Sequence, residues 1–254
     1  MKITLAQIAP KLKKCTKEEF EKLLTCKETS ESDLIVFPEL SLNGYMLKDA
    51  VFEDAFEIKE LEEFGKFSKN RDIVLGAVTK EESAYYNSAV YFSKGEIKKI
   101  HHKTALPNYG LFQEARFFFK GREILEFDTD FGKTFLVICE ELYDVSVISK
   151  IINSKPDLVI VISNSPARGF EDNGLLIQKQ WYSLLSSTAL LSGANVVFSN
   201  RVGFEDGLGF WGGSAFVSAK GEILKKAKLF EDDFITLEID KKLSSTQKYL
   251  LRGY

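Results

Sequence analysis

Histidine is almost absent from this chain. Its 254 residues include two, His101 and His102, and they are adjacent. A zinc centre normally draws on several spaced His or Cys ligands, so a resident metal is not expected. A Ser-His-Asp or Cys-His relay would have to use one member of this pair. On a strand, the two side chains would point to opposite faces. Cysteine is nearly as scarce, with Cys15, Cys26 and Cys139 only. An odd, sparse set makes no disulfide framework and reads as a reduced, cytoplasmic protein. A strong excess of one charge is also missing. The formal net charge is -3, which gives no reason to expect nucleic acid or an anionic membrane as a partner. No apolar run approaches the roughly 18 residues of a membrane span. The N-terminal stretch Met1-Lys-Ile-Thr-Leu-Ala-Gln-Ile8 reads as a first strand rather than a secretion signal. Repeats, low-complexity tracts and Pro/Gly/Ser linkers are lacking, so a single domain over residues 1–254 is the simplest organisation.

What is present is a series of short apolar, β-branched runs. They are Ile3–Ile8, Asp33–Phe37, Ile73–Val78, Ser88–Phe92, Thr134–Ile138, Leu158–Ser163, Asn195–Ser199, Ser214–Val217 and Phe234–Ile239. Uninterrupted runs such as Leu158-Val-Ile-Val-Ile162 suit strands covered on both faces. Amphipathic segments lie between them. The spacing predicts helices over Lys17–Thr29, Phe52–Asn70 and Asn173–Gly193, with Gly193 as a stop. Val90–Ile97 and Phe216–Ile223 each read as strand, Lys-Gly-Glu turn, strand. They are either independent hairpins or marks of two similar halves. The alternation predicts an α/β fold with two mixed β-sheets and helices outside.

Reactive residues in such folds gather just past the carboxyl ends of strands. Three such places carry unusual polar residues. Glu39 follows Asp33-Leu-Ile-Val-Phe-Pro38, Lys103 ends an alternating segment before Leu106-Pro107-Asn-Tyr-Gly110, and Cys139 follows Thr134-Phe-Leu-Val-Ile138. Each has an ordinary reading as well: a turn acid, a surface lysine in a basic run, an inert buried cysteine. Together they form a reaction class. A thiolate attacks an amide or nitrile carbon, a carboxylate moves the proton, and an ammonium holds the oxyanion. No histidine and no cofactor is required. An α-helix starting after Cys139 would favour its thiolate.

At these residues the sequence resembles the carbon–nitrogen hydrolase (nitrilase-like) superfamily. The resemblance runs from Ile3-Thr-Leu-Ala-Gln7 to the strand near Ile239. It is carried by Phe37-Pro-Glu39-Leu, Lys103 with Leu106-Pro, and Ile138-Cys139-Glu with Tyr143-Asp144. The resemblance implies a four-layer α-β-β-α sandwich. It implies Glu39 as base, Lys103 as oxyanion-stabilising lysine and Cys139 as nucleophile, with a backbone N–H from Glu140 completing the oxyanion hole. Phe112-Gln-Glu114-Ala-Arg116-Phe-Phe is similar to the family's Phe-x-Glu-x-Arg-x-Phe, which implies Glu114 as a second active-site carboxylate and Arg116 as an ion-pair former.

A narrower likeness is to the glutaminase domain of glutamine-dependent NAD synthetases. It rests on Lys103-Thr-Ala-Leu-Pro-Asn-Tyr-Gly-Leu-Phe-Gln-Glu114, Cys139-Glu-Glu-Leu-Tyr and Ile162-Ser-Asn-Ser-Pro166. It implies substrate-binding roles for Tyr109, Glu140 and Ser165. The chain ends where that family's ATP-using domain would begin, and it has no P-loop. The expectation is therefore an amidase for a glutamine-like or ω-amide carboxamide, free-standing or feeding ammonia to a separate enzyme. A homodimer or larger homo-oligomer is implied by the resemblance. The rival readings are a nitrilase or N-carbamoyl amino-acid amidohydrolase, a non-catalytic assembly subunit, and a redox thiol protein. The segment Gly203–Gly213 is either a pocket wall or a plain surface loop.

Overall fold

The computed structural model describes residues 1–172 and 174–239. All nine predicted runs form strands, seven within two residues of their ends; Ile73–Val78 extends to Asp72–Glu81 and Ser88–Phe92 to Ala84–Ser93. The principal strands are β1 (Lys2–Gln7), β2 (Leu34–Val36), β3 (Asp72–Glu81), β4 (Ala84–Ser93), β5 (Glu96–His102), β6 (Leu125–Thr129), β7 (Gly132–Ile138), β8 (Leu158–Ser163), β9 (Asn195–Asn200), β10 (Ala215–Val217), β11 (Ile223–Lys226) and β12 (Asp233–Glu238).

They make two mixed sheets, ordered β12-β1-β2-β3-β4-β5 and β11-β10-β9-β8-β7-β6. In the first, β1, β2 and β3 are parallel, and β4 and β5 continue antiparallel. The second repeats this plan: β7, β8 and β9 are parallel, and β10 and β11 continue antiparallel. The two Lys-Gly-Glu turns thus fall at equivalent edges. Gly95 and Gly221 supply the positive φ values, +87° and +80°.

The inner faces meet in one core, with Ile3, Leu5, Val36 and Val74 against Leu136, Ile160, Ile162 and Val197. Outside the first sheet, Phe20 of α1 (Lys17–Leu23) packs with Leu61 of α2 (Ile58–Glu62) and with Phe64. Outside the second, Val147 and Ile151 of α3 (Val145–Ser154) join Ile177, Trp181 and Leu185 of α4 (Leu176–Ser192). The strands are therefore apolar on both faces, as their uninterrupted runs require. Each fully buried large side chain contributes about 1.5–3 kcal/mol. The architecture is the four-layer α-β-β-α sandwich.

The helices depart from their predicted bounds. Lys17–Thr29 divides into α1 and a single turn at Lys27–Ser30. Phe52–Asn70 is broken because Phe56–Glu57 pairs with Thr79–Lys80 of β3. The chain turns helical again at Ile58 and ends as a 3-10 helix over Glu63–Ser68. The long helix starts at Leu176 and ends on Gly193 at φ +68°. Its predicted first residue, Asn173, and residues 240–254 of the predicted domain lie outside the described residues.

Candidate active site

The carboxyl ends of β2, β5, β7 and β8 meet at one end of the sandwich. Glu39 follows β2 in a loop whose Leu40 has φ +46°. That loop lies directly on β3. A Cβ at Gly76 would stand 2.2 Å from Leu40 N and 2.7 Å from the Glu39 carbonyl carbon. Only glycine permits this approach, which presses Glu39 into the interior. Lys103 follows β5, with its N–H donating to Asn87 O and its carbonyl accepting from Gly121 N, both at 2.8 Å.

Glu39 and Lys103 are both fully buried, and Glu114 is 4% exposed. Lys103 Nζ donates to Glu39 Oε1 at 2.6 Å and to Glu114 Oε1 at 2.8 Å. Asn87 Nδ2 donates to Glu39 Oε1 at 2.8 Å, and the Asn164 N–H donates to Glu39 Oε2 at 2.7 Å. Tyr45 OH donates to Glu114 Oε1 at 2.7 Å. Tyr45 is itself held by the buried Arg201–Glu205 pair, because Glu205 Oε2 accepts from the Tyr45 and Met46 N–H groups.

Two carboxylates thus share one ammonium in a dry place. Burial alone would lower Lys103, but Glu114 and Glu39 outweigh it and hold Lys103 well above its ordinary value. Burial pushes Glu114 up to about 7, with Lys103 pulling against it and Glu39 adding to it.

Cys139 lies at the end of β7 with φ +46°, a left-handed conformation that costs a β-carbon-bearing residue about 1–3 kcal/mol. It opens a five-residue 3-10 turn, Cys139–Tyr143. The helix start expected after Cys139 is this 3-10 turn followed by α3 from Val145, capped by Asp144. Burial, then Glu39, push the thiol up, against Lys103 and the Ser163 hydroxyl. The resting sulfur is a thiol, with Ser163 Oγ donating to Sγ at 3.2 Å. Cys139 keeps partial exposure to solvent.

A carboxylate, an ammonium and a partly exposed sulfur around the ends of parallel strands describe thiol acyl-transfer chemistry. A profile of the carbon-nitrogen hydrolase family matches residues 2–249. The chain belongs to the carbon-nitrogen hydrolase family.

This carbon-nitrogen hydrolase is 33% identical over 248 residues to a glutamine-dependent NAD(+) synthetase of Thermotoga maritima, covering 94% of this chain and 42% of the relative. The structure of a glutamine-dependent NAD+ synthetase from Acinetobacter baumannii superposes with a TM-score of 0.83 at 29% identity, over 96% of this chain and 46% of that one. A CN-hydrolase superfamily protein of Xanthomonas campestris shares the fold with a TM-score of 0.86 at 17% identity, over 100% of this chain and 95% of that one. The chain spans less than half the length of these NAD synthetase relatives.

Around the hydrolase cluster, Tyr109 OH donates to Glu140 Oε1 at 3.0 Å. Glu140 adjoins Cys139 in the chain, and Arg168 lies over the Phe112 ring at 5.7 Å. Tyr109, Glu140 and Arg168 interact electrostatically with one another or with Tyr143, so they form one polar group beside the sulfur. Ser165 behaves differently. Its buried Oγ accepts from the Trp181 and Trp211 indoles at 2.9 and 3.2 Å, so its side chain is committed to packing them. Arg116 is exposed and has no ion-pair partner among the described residues. Its guanidinium sits over Phe117 at 5.3 Å. This corrects the ion-pair expectation.

Gly203–Gly213 is largely a hairpin, Val202–Glu205 with Leu208–Trp211. Asp206 and Leu208 line a cleft of about 260 Å³ that also reaches Tyr45, Glu114 and Phe118. Among the described residues, Glu114 Oε2 and both amide atoms of Asn164 have no hydrogen-bond partner. Asn87, Tyr45 and Arg168 escaped sequence reasoning. A lone Asn, Tyr or Arg carries no local signal until the fold places it.

Proposed function

We propose that this hydrolase is a thiol amidase that cleaves the side-chain carboxamide of glutamine, or a closely similar ω-amide, and releases ammonia. The observation that carries this reading is Lys103 Nζ, bonded to Glu39 and Glu114 within one buried cluster that also acts electrostatically on Cys139. Glu39 takes the Cys139 proton as sulfur attacks the amide carbon. Lys103, with the Glu140 N–H, stabilises the oxyanion. The C–N bond breaks as Glu39 returns the proton to the departing nitrogen, leaving a thioester and free ammonia. Water, deprotonated by Glu39, then hydrolyses the thioester to the carboxylic acid and the thiol. Glu114 holds Lys103 in place.

Glutamine is favoured by two things. It is the named requirement of the relatives matched over 94% of this chain. Glu140 also offers a carboxylate to an α-ammonium, and Arg168 a guanidinium to an α-carboxylate. Tyr109 bonds Glu140 and would orient it; Ser165 would serve through packing. The same reading takes the chain as a cytoplasmic homo-oligomer whose ammonia passes to a separate ammonia-consuming enzyme. Its three free cysteines support a reducing location.

Ammonia release from a panel of amides, nitriles and N-carbamoyl amino acids tests the proposal. Glutamine or an ω-amide is expected to be turned over fastest. Faster turnover of a nitrile or a carbamoyl compound would replace the reading with its rival. A pH profile adds a second check. Glu114, pushed up to about 7, gains a proton as pH falls through that value and ceases to be a counter-anion for Lys103. kcat is therefore expected to fall on the acid side of about pH 7. Glu114→Gln fixes the uncharged state, so its reduced rate should lack that limb. An unchanged limb in Glu114→Gln would assign the titration elsewhere.

A further inference from the structure

The proposed mechanism leaves one buried carboxylate–imidazole pair unused. Glu141 is 0% exposed and His101 2%. Glu141 accepts from the Ile138 N–H through Oε2 at 2.6 Å, and from the Thr104 N–H and hydroxyl through Oε1 at 2.6 and 2.9 Å. His101 Nε2 bridges both carboxylate oxygens at 3.0 and 2.9 Å. An ionised carboxylate only accepts, so Nε2 carries the hydrogen. Burial alone would raise Glu141, yet His101 and the two backbone donors hold it below its ordinary value.

The chain positions of these partners matter. Ile138 immediately precedes Cys139, and Thr104 immediately follows Lys103. Glu141 thus bonds the residue before Cys139 and the residue after Lys103 with one carboxylate. A residue strained at φ +46° keeps that conformation only where its surroundings over-determine it. Glu141 closes the turn from within, and His101 keeps the carboxylate from rotating.

We infer that Glu141, oriented by His101, is a positioning residue: its single carboxylate joins the strained Cys139 turn to the Lys103 segment and so sets the distance between sulfur and ammonium. The inference rests on the amidase reading for its kinetic consequence, but the geometry it claims is testable without turnover.

The test is iodoacetamide labelling of the full chain, followed for each cysteine by peptide mass spectrometry, together with steady-state kinetics. In Glu141→Gln, an amide N–H must face one of the N–H donors. Labelling of Cys139 is expected to slow about tenfold or more, and kcat to fall about 10–100-fold with KM little changed, as for a misplacement near 1 Å. Cys15 and Cys26 serve as internal controls and should label at the native rate. Thr104→Val removes one side-chain bond from a half-buried position and should shift Cys139 labelling in the same direction by less. It keeps the test open should Glu141→Gln fail to fold. Faster labelling of all three cysteines together, or native labelling of Cys139 in both variants, would reduce Glu141 to a structural role and overturn the inference. A native protein that releases no ammonia from any amide would sink the amidase reading instead, while the labelling comparison would still decide the role of Glu141.

Discussion

Cys139→Ala is expected to lower amide hydrolysis by about 10⁴-fold or more, the scale on which loss of a covalent nucleophile is felt. The fold should survive. The change removes one sulfur and one Ser163 contact from a partly exposed position, and alanine tolerates φ +46° no worse than cysteine does. Melting within a few degrees of the native protein, with ammonia release at background, is the predicted pair of results. Retention of more than about a hundredth of the native rate would remove the thioester from the mechanism. Cys15 and Cys26 provide the contrast. Cys15 sits beside Glu19, and burial, then Glu19, push it up to about 11. Changing either to serine should leave kcat untouched.

Lys103→Met should damage both activity and stability, for one electrostatic reason. Lys103 lies between two buried carboxylates. Removing one partner from a buried ionic group leaves charge uncompensated and typically costs 3–5 kcal/mol. The variant also loses the group that faces the oxyanion, a loss worth about 10²–10³ in rate. The two effects separate in the double variant. Lys103→Met with Glu114→Gln removes one of the stranded carboxylates, so melting temperature should recover in part while activity stays low. A double variant no more stable than Lys103→Met would show that the carboxylates do not repel, against the geometry of the cluster. Recovery of activity would deny Lys103 its role in the chemistry.

The sandwich was legible because its strands announce themselves. Leu158–Ile162 and Thr134–Ile138 are apolar on both faces, and only a strand between two layers needs that. The break at Ala55–Phe56 was not legible. The periodicity of residues 52–70 is helical, and only pairing with Thr79–Lys80 overrides it. β6 escaped notice because Leu125-Glu-Phe-Asp-Thr129 alternates with charged residues at a sheet edge, where one face stays wet.

Glu39 and Cys139 stand out because each follows a buried strand; Lys103 ends the half-exposed edge strand β5 and stands out only beside the other two. Glu114 was reached through resemblance, since nothing local separates it from a surface acid. Glu141 gave no signal beyond being an acid next to another acid. Its partners, His101 and Thr104, lie about 40 residues away and meet it only through the packing of one sheet against the other. Ser165 shows the opposite failure. A serine in a suggestive motif looked like a substrate contact, yet two indoles that sequence could not place claim its hydroxyl.

The most direct test of the account is an acid-quenched mass spectrum taken during turnover with glutamine. The account predicts a transient adduct, equal to glutamine less ammonia, on the peptide that contains Cys139, and its absence from Cys139→Ala. Steady ammonia release with no such adduct under single-turnover conditions, or an adduct on Cys15 or Cys26, would contradict it.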